Sequence, residues 1–323
     1  MRAHSPNQSS GVLCAGALVL DTIVRPFHQL SWGTTTFVET IETRVGGSAA
    51  NTARALGILQ IPVRVAATVG RDHAAETIRQ ELVRCNVDIS CIESAEEPSP
   101  HTVVLVNSNG DRQFLHRRGC SDVAFREGLN FTPECMLGTT HFHLASLFVV
   151  PHLRTKAPAI LQEARARGLT TSLDTSWDPE GEWIKVLEPC LPHVDILFMN
   201  EDEAAQIAYD KTIEAMARAT VDRGTGMVVI KQSYQGCRIY TESQDIACPA
   251  YDVNVLDTTG AGDCFVAGFL AACLEGAPPE QAGLIANATG ALSVQHVGAI
   301  DGLLPRPEQD AWMARTPLRR AGV

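Results

Sequence analysis

Seven residues near the C-terminal end, Asp257-Thr258-Thr259-Gly260-Ala261-Gly262-Asp263, join a glycine-rich turn to two carboxylates and lead into an apolar run over 265–274. Gly260 and Gly262 allow backbone conformations closed to other residues and let N–H groups come close to a ligand. At the start of a helix those N–H groups lack carbonyl partners and sit at the positive end of the helix dipole, so together they bind anions. Asp263 stands at the mouth of that site. A carboxylate there could take the proton of a hydroxyl attacking a phosphoryl group, which points to phosphoryl transfer. A plain loop capped by Asp would read the same locally, and so short a motif can match by chance.

The wider sequence narrows the choice. Upstream, Gly46-Gly47-Ser48-Ala49-Ala50-Asn51 also passes from glycines into an alanine-rich run that favours helix. The two clusters in this order closely resemble the two signatures of the PfkB carbohydrate kinases, the ribokinase-like family. The resemblance extends from about Val12 to Pro305. It implies a three-layer α/β fold: a mostly parallel central sheet, helices on both faces, and a small β-sheet lid over the sugar. It also implies ATP and Mg²⁺. Asp263 then corresponds to the catalytic base, and Gly260, Ala261 and Gly262 to the anion hole. Asp21, Gly47 and Asn51 correspond to residues that bind sugar hydroxyls, work for which a carboxylate and an amide are suited. Each polar residue has a plainer reading as a turn or helix cap.

Other matches follow along the chain. Asn200-Glu201-Asp202-Glu203 resembles the element that orders Mg²⁺ and phosphate through water, so Glu203 need not touch the metal. Asn200 would also cap a helix whose first turn is acidic. Lys231 and Gly236 match the nucleotide segment, with Ser233 where the family usually has its first glycine. Asn287 falls in the helix that borders the adenine, or on an ordinary helix surface. Some members hold a monovalent cation, K⁺, beside the anion hole, and Asp257 with the loop 296–301 occupies the corresponding places. Asp72 follows Val69-Gly70-Arg71 as in the family.

These residues need a scaffold to position them. The chain has 323 residues, 45% of them apolar, enough for a sizeable core. Its net charge of −11 argues against nucleic-acid and anionic-membrane partners, and no apolar run is long enough to span a bilayer. The polar start, residues 1–11, reads as a disordered tail rather than a signal peptide. The ten cysteines contain no Cys-x-x-Cys pair, so reduced, mostly buried thiols in a cytoplasm are expected rather than a zinc site or disulfide framework. His141 and His143 share one face of a predicted strand; with no third ligand in sight they read as core histidines.

Strand patterns at 12–20, 63–69, 141–147, 170–174, 196–200 and 227–231 alternate with helical ones at 51–59, 73–85 and 157–167, which implies a parallel sheet covered on both faces. Ligands gather at the carboxyl ends of such strands, where Asp21, Asp174, Asn200 and Lys231 fall. Alternation at approximately 34–45 and 101–118, with a hairpin turn over 108–111, reads as the lid inserted into a single kinase domain over 12–305. Trp32, Phe37, Phe114, His116 and Arg118 are candidate lid contacts, and Arg118 would favour an acidic or phosphorylated sugar.

The expected function is ATP-dependent phosphorylation of a primary hydroxyl of a small sugar or sugar derivative. A nucleoside kinase of the same family and a non-catalytic sugar-binding regulator are the alternatives, the latter disfavoured by an intact Asp263. A dinucleotide-dependent oxidoreductase lacks the early G-x-G-x-x-G it needs. Beyond the substrate, the resemblance allows a homodimer formed through the lid.

Overall fold

Successive residues of the first strand, β1 (Gly11–Ala15), serve two different cores. Val12 and Cys14 enter one, Leu13 and Ala15 the other, as a strand buried on both faces requires. The computed structural model describes residues 10–29, 32–209 and 211–319. In chain order the remaining strands are β2 (Val19–Arg25), β3 (Thr40–Gly46), β4 (Val63–Val69), β5 (Val87–Ser94), β6 (His101–Val106), β7 (Arg112–Arg117), β8 (Thr139–Leu144), β9 (Thr170–Asp174), β10 (Ile196–Asn200), β11 (Met227–Lys231), β12 (Cys237–Thr241) and β13 (Asp245–Cys248). The α-helices are α1 (Ser48–Ile58), α2 (His73–Arg84), α3 (Pro133–Met136), α4 (Leu153–Ala166), α5 (Ile184–Leu187), α6 (Glu201–Ala208), α7 (Ile213–Asp222), α8 (Ala261–Leu274), α9 (Pro279–Ser293) and α10 (Arg306–Arg315).

Nine strands form one sheet in the order β13-β12-β11-β10-β9-β8-β1-β4-β5. Pairing is parallel from β5 to β11, and β12 and β13 add an antiparallel edge. Helices α1, α2, α8 and α9 pack into the core on one face, and α4, α6 and α7 into that on the other. A second sheet has the order β3-β2-β6-β7, with β2 and β6 parallel and the outer pairs antiparallel. No helix among the described residues is long and apolar enough to cross a membrane.

Several expectations change here. The strand read over 12–20 is two strands in two sheets. Gly16, at φ +150°, turns the chain where a Cβ would press on the Ala145 carbonyl, and Asp21 consequently lies within β2 rather than beyond a strand end. The segment at 34–45 becomes a strand only from Thr40. Gly11, assigned to the tail, begins β1, and residues 1–9 lie outside the described residues. The edge strands β5, β12 and β13 carry weaker hydrophobic patterns and escaped the sequence reading. Cys91 and Cys135 form a disulfide between β5 and α3, which corrects the expectation of wholly reduced thiols. No motif announces a pair 44 residues apart; the packing of α3 beside β5 creates it. The other eight cysteines are free, all buried but for the half-buried Cys273.

Helix α8 is apolar on every side because it is enclosed: Phe265, Val266, Phe269 and Leu270 are all buried beneath the sheet and beside α1 and α9. Phe198 of β10 meets Phe269 edge to face, with ring centroids 5.3 Å apart. That contact holds α8 at a fixed height on the sheet. Phe198→Ala should therefore cost about 3–5 kcal/mol in chemical denaturation, and a loss below about 1 kcal/mol would mean that the core closes around the gap.

Candidate active site

Two helix starts, made by two glycine clusters, face each other. At the first, Gly47 has φ +94°, and a Cβ on it would strike the Ala17 carbonyl. A Cβ on Gly46 would fall on the Asp21 carboxylate. The chain can therefore turn from β3 into α1 against β2 only with glycine at these positions. At the second, Gly260 takes the left-handed conformation at φ +69° and no side chain caps α8. Ala261 N–H donates to Thr258 O at 3.2 Å, whereas the N–H groups of Gly262 and Asp263 have no carbonyl partner among the described residues. Free amides at a helix N-terminus form an anion site.

A hydrogen bond joins the two starts. Asn51 Nδ2 donates to Asp263 Oδ2 at 2.8 Å, and the Asn51 amide is oriented in turn by Arg54, whose Nη2 donates to its Oδ1 at 2.7 Å. Thr52 Oγ1 reaches the Asp263 carbonyl. Burial, and then the charge of Asp174, push the Asp263 carboxyl up to about 7 against the opposing Asn51 bond and the charges of Lys231 and Arg54. The positive end of the helix dipole favours the reverse, a charged acid. Enclosure outweighs the dipole.

Behind the turn the strand ends contribute an ion network. Lys231 Nζ, at the end of β11, donates to Asp174 Oδ1 and Oδ2 at 3.1 and 2.9 Å. The same ammonium lies beside Gly262, where a Cβ would sit 3.4 Å away. Burial works against the charge of Lys231, but Asp174, Glu203 and Asp263 hold its pKa above the ordinary lysine value. Asn200 and Glu203 form a reciprocal capping box at the start of α6: Glu203 N–H donates to Asn200 Oδ1 at 2.8 Å, and Asn200 N–H to Glu203 Oε2 at 3.0 Å. Burial raises the Glu203 pKa. Among the described residues no three His, Cys, Asp or Glu side chains cluster as a metal cage. Asp174 and Glu203 beside the turn suit Mg²⁺ held chiefly by phosphate oxygens and water.

Asp257 is engaged differently. Its Oδ1 accepts from Arg112 Nη2 at 2.6 Å, and from the hydroxyl and N–H of Thr259; its Oδ2 accepts from Gly298 N–H at 3.0 Å. Burial opposes its charge, yet these donors hold Asp257 down to about 2. Arg112 belongs to β7, so this pair ties the small sheet to the glycine-rich turn before α8.

Between the small sheet and the starts of α1 and α8 lies a cleft of about 860 Å³, lined by Asp21, Gly47, Asn51, Asp257 and Asp263 among others. Not every expected residue reaches it. Arg118 is exposed beside Asp122 at 3.9 Å and does not line the cleft, because β7 ends one residue before it. Of the proposed lid contacts only Phe114 lines the cleft; Trp32 and Phe37 are more than nine-tenths exposed, and His116 bonds Thr102. Asn287 is buried rather than on a helix surface, its Nδ2 donating to the carbonyls of Cys248 and Pro249. Gly236, at φ +99°, packs against the backbone of residues 248–250. Ser233 keeps a left-handed φ of +51° in place of the family's glycine. His141 and His143 bond the hydroxyls of Thr170 and Ser172 within the core, and burial lowers both to about 3.

A model of the pfkB family of carbohydrate kinases matches residues 12–306. The chain belongs to that family. It is 30% identical over 259 residues to an ATP-dependent ribose-1-phosphate kinase of Halopiger xanaduensis, covering 79% of this chain and 81% of that protein. An Escherichia coli protein assigned as a ribokinase II and solved with ATP and Mg²⁺ superposes with a TM-score of 0.83 at 23% identity, over 95% of this chain and 99% of that one. A nucleoside kinase of Methanocaldococcus jannaschii superposes with a TM-score of 0.78 at 23% identity, over 95% and 98%. The fold is thus shared by kinases named for sugars and for nucleosides.

What the sequence reading of this kinase missed is a set of arginines on the cleft wall: Arg25, Arg44, Arg54, Arg84 and Arg112. A signal existed for Arg54, a charged residue one helical turn after Asn51 in a run otherwise of Ala, Thr and Leu. The raised pKa of Asp263 also has a thermodynamic consequence. An unfolded aspartate titrates near ~3.9, so between about 4 and 7 the native state binds more protons than the unfolded one, and stability falls as pH rises through that window. Asp263→Asn should melt above wild type at pH 8 in the absence of ligands, with the gap closing towards pH 4. Equal melting temperatures at pH 8 would mean that Asp263 is not strained by burial.

Proposed function

We propose that this kinase transfers the γ-phosphoryl group of ATP to a primary hydroxyl of a small sugar or sugar derivative bound in the cleft. The observation that carries the reading is the Asn51–Asp263 hydrogen bond, which sets a carboxyl with a pKa of about 7 beside two unpaired helix-start amides. A hydroxyl hydrogen-bonded by Asp263 would lie within reach of a phosphoryl group held on those amides. Asp263 would accept its proton, and a pKa near the working pH suits that exchange. The N–H groups of Gly262 and Asp263, the Ala261 turn and the Lys231 ammonium would receive the charge that develops on the equatorial oxygens.

Asp21, Gly47 and Asn51 line the same cleft and would orient the acceptor, with its hydroxyls bonded by the carboxylate and the amide. Mg²⁺, coordinated by phosphate and water near Glu203 and Asp174, would neutralise charge between the β- and γ-phosphates. Lys231, Gly236 and Asn287 would bound the nucleotide side, Asn287 acting through the backbone it holds rather than by direct contact. The four-stranded sheet would serve as lid within one kinase domain.

A nucleoside acceptor is the second reading. Stacking needs an aromatic face, and the cleft offers Phe114 among several charged side chains, which favours a small polar acceptor. A binding-only regulator has no use for Asp263 in this setting.

Turnover of a sugar panel coupled to ADP release tests the assignment. Asp263→Asn is expected to lower kcat by about 10²–10⁴-fold with nucleotide affinity preserved. For wild type, kcat/KM should rise with pH and level off above about 7, as Asp263 becomes able to accept a proton. A variant that kept more than about a tenth of wild-type turnover would remove Asp263 from the chemistry.

Potassium would have to share Asp257 with the guanidinium of Arg112 and the Gly298 N–H. With that carboxylate already neutralised, initial rates in K⁺, Na⁺ and Tris at fixed ionic strength are expected to be equal. A clear rise in K⁺ would mean that the ion displaces Arg112.

A further inference from the structure

Two cysteines face each other across the last two strands of the large sheet. Cys237 of β12 and Cys248 of β13 are directly opposite in the antiparallel register. Cα atoms so placed lie ~4.5–5.5 Å apart, inside the range a disulfide spans. Their sulfurs point to one spot on α9: a Cβ on Gly283 would lie 2.6 Å from Cys248 Sγ and 3.2 Å from Cys237 Sγ. Glycine there leaves room for both. Of the eight free cysteines, these are the two whose thiols interact with each other among the described residues.

The two thiols are not equivalent. The Cys237 thiol beside it lowers the pKa of Cys248, against burial and the charge of Glu280, while the same contact raises that of Cys237. Cys248 is thus the thiolate-forming member, and Cys237 the thiol that hydrogen-bonds to it. Both are buried. Yet β13 is the edge of the sheet, a strand of four residues paired on one side with β12, and its Ala247 is exposed. A short edge strand opens locally at far less cost than global unfolding, and that opening brings Cys248 to solvent.

The pair adjoins two residues assigned above to the nucleotide side. A Cβ on Gly236, the residue before Cys237, would strike the Cys248 carbonyl. Asn287 Nδ2 donates to the carbonyls of Cys248 and Pro249 and reaches Cys237 Sγ at 3.8 Å. We propose that Cys237 and Cys248 are a redox-modified dithiol whose closure to a disulfide weakens ATP binding. The effect on ATP rests on the nucleotide reading of Gly236 and Asn287. The oxidant is a small-molecule disulfide such as oxidised glutathione. The Cys248 thiolate attacks one of its sulfurs, the S–S bond breaks, and one glutathione leaves as a thiolate. Cys237 then attacks Cys248 Sγ, the mixed disulfide breaks, and the Cys237 proton passes to the second leaving glutathione. The two thiols lose two electrons, and the oxidant becomes two molecules of glutathione. The new bond draws Cys237 Sγ away from Asn287, so the amide loses part of what holds it against residues 248–250.

Glutathione buffers of graded oxidised-to-reduced ratio test this on the whole chain. Each sample is alkylated for peptide mapping of its cross-links and titrated calorimetrically with a non-hydrolysable ATP analogue and Mg²⁺. The map should show a link between residues 237 and 248 beside the one between 91 and 135. The analogue should bind roughly 2- to 10-fold more weakly as the 237–248 link forms, the loss expected for one hydrogen bond, and dithiothreitol should restore the affinity. Cys91→Ser should keep this response and Cys248→Ser should abolish it; Cys237→Ser serves in place of Cys248→Ser if that variant fails to fold. Absence of the 237–248 link at every ratio overturns the proposal. So does a link that leaves affinity unchanged, or a response that persists in Cys248→Ser or follows the 91–135 link. In each of those cases ADP release by the reduced protein leaves the kinase reading standing. A reduced protein that neither binds the analogue nor releases ADP with any sugar removes both.

Discussion

The hydrogen bond from Asn51 to Asp263 spans 212 residues and closes the site. It requires α1 and α8 to start at the same height on the sheet, with their first turns in contact. Two features meet that requirement. Gly46 and Gly47 bring the α1 entry against β2, and the left-handed Gly260 brings the α8 entry against Ala299 and the Asn51 amide. A side chain at any of these three positions would push one helix start away from the other.

That proximity sets the electrostatics. Asp263 is drawn into an enclosed position beside Asp174, which raises its pKa, while Lys231 stays charged because three carboxylates surround it. Behind the turn Lys231 is tied to Asp174, and at the front the amides of Gly262 and Asp263 have no carbonyl partner among the described residues. Asp257, a few residues earlier in the same motif, has the opposite character: open to four donors, it stays ionised and anchors Arg112 of the small sheet. Environment, not residue type, separates the two acids.

The small sheet completes the cleft on its other side. Its strand β2 carries Asp21, and β3 runs directly into Gly46 and Gly47, so one wall of the cleft and the start of α1 are one continuous piece of chain. Arg44–Asp301 and Arg112–Asp257 join this sheet to the loops around α8 at two points. Any movement of the sheet must break or rebuild those pairs, which lie beside the glycine-rich turn before α8.

The sequence alone determined the alternating α/β plan, the two glycine-led helix starts and the cap at Asn200. These follow from local rules, because side-chain period, glycine conformations and capping spacing act within a few residues, whereas Asp263, Asn51, Asp21 and Lys231 were singled out through the resemblance to the PfkB kinases. The tertiary structure decided what depends on distant neighbours. It divided the first strand between two sheets, paired Cys91 with Cys135, removed Arg118 from the cleft and turned Asn287 inward. It also raised Asp263 and lowered Asp257. Charge compensation and desolvation are sums over everything nearby in space, and a linear chain does not carry that sum until it folds.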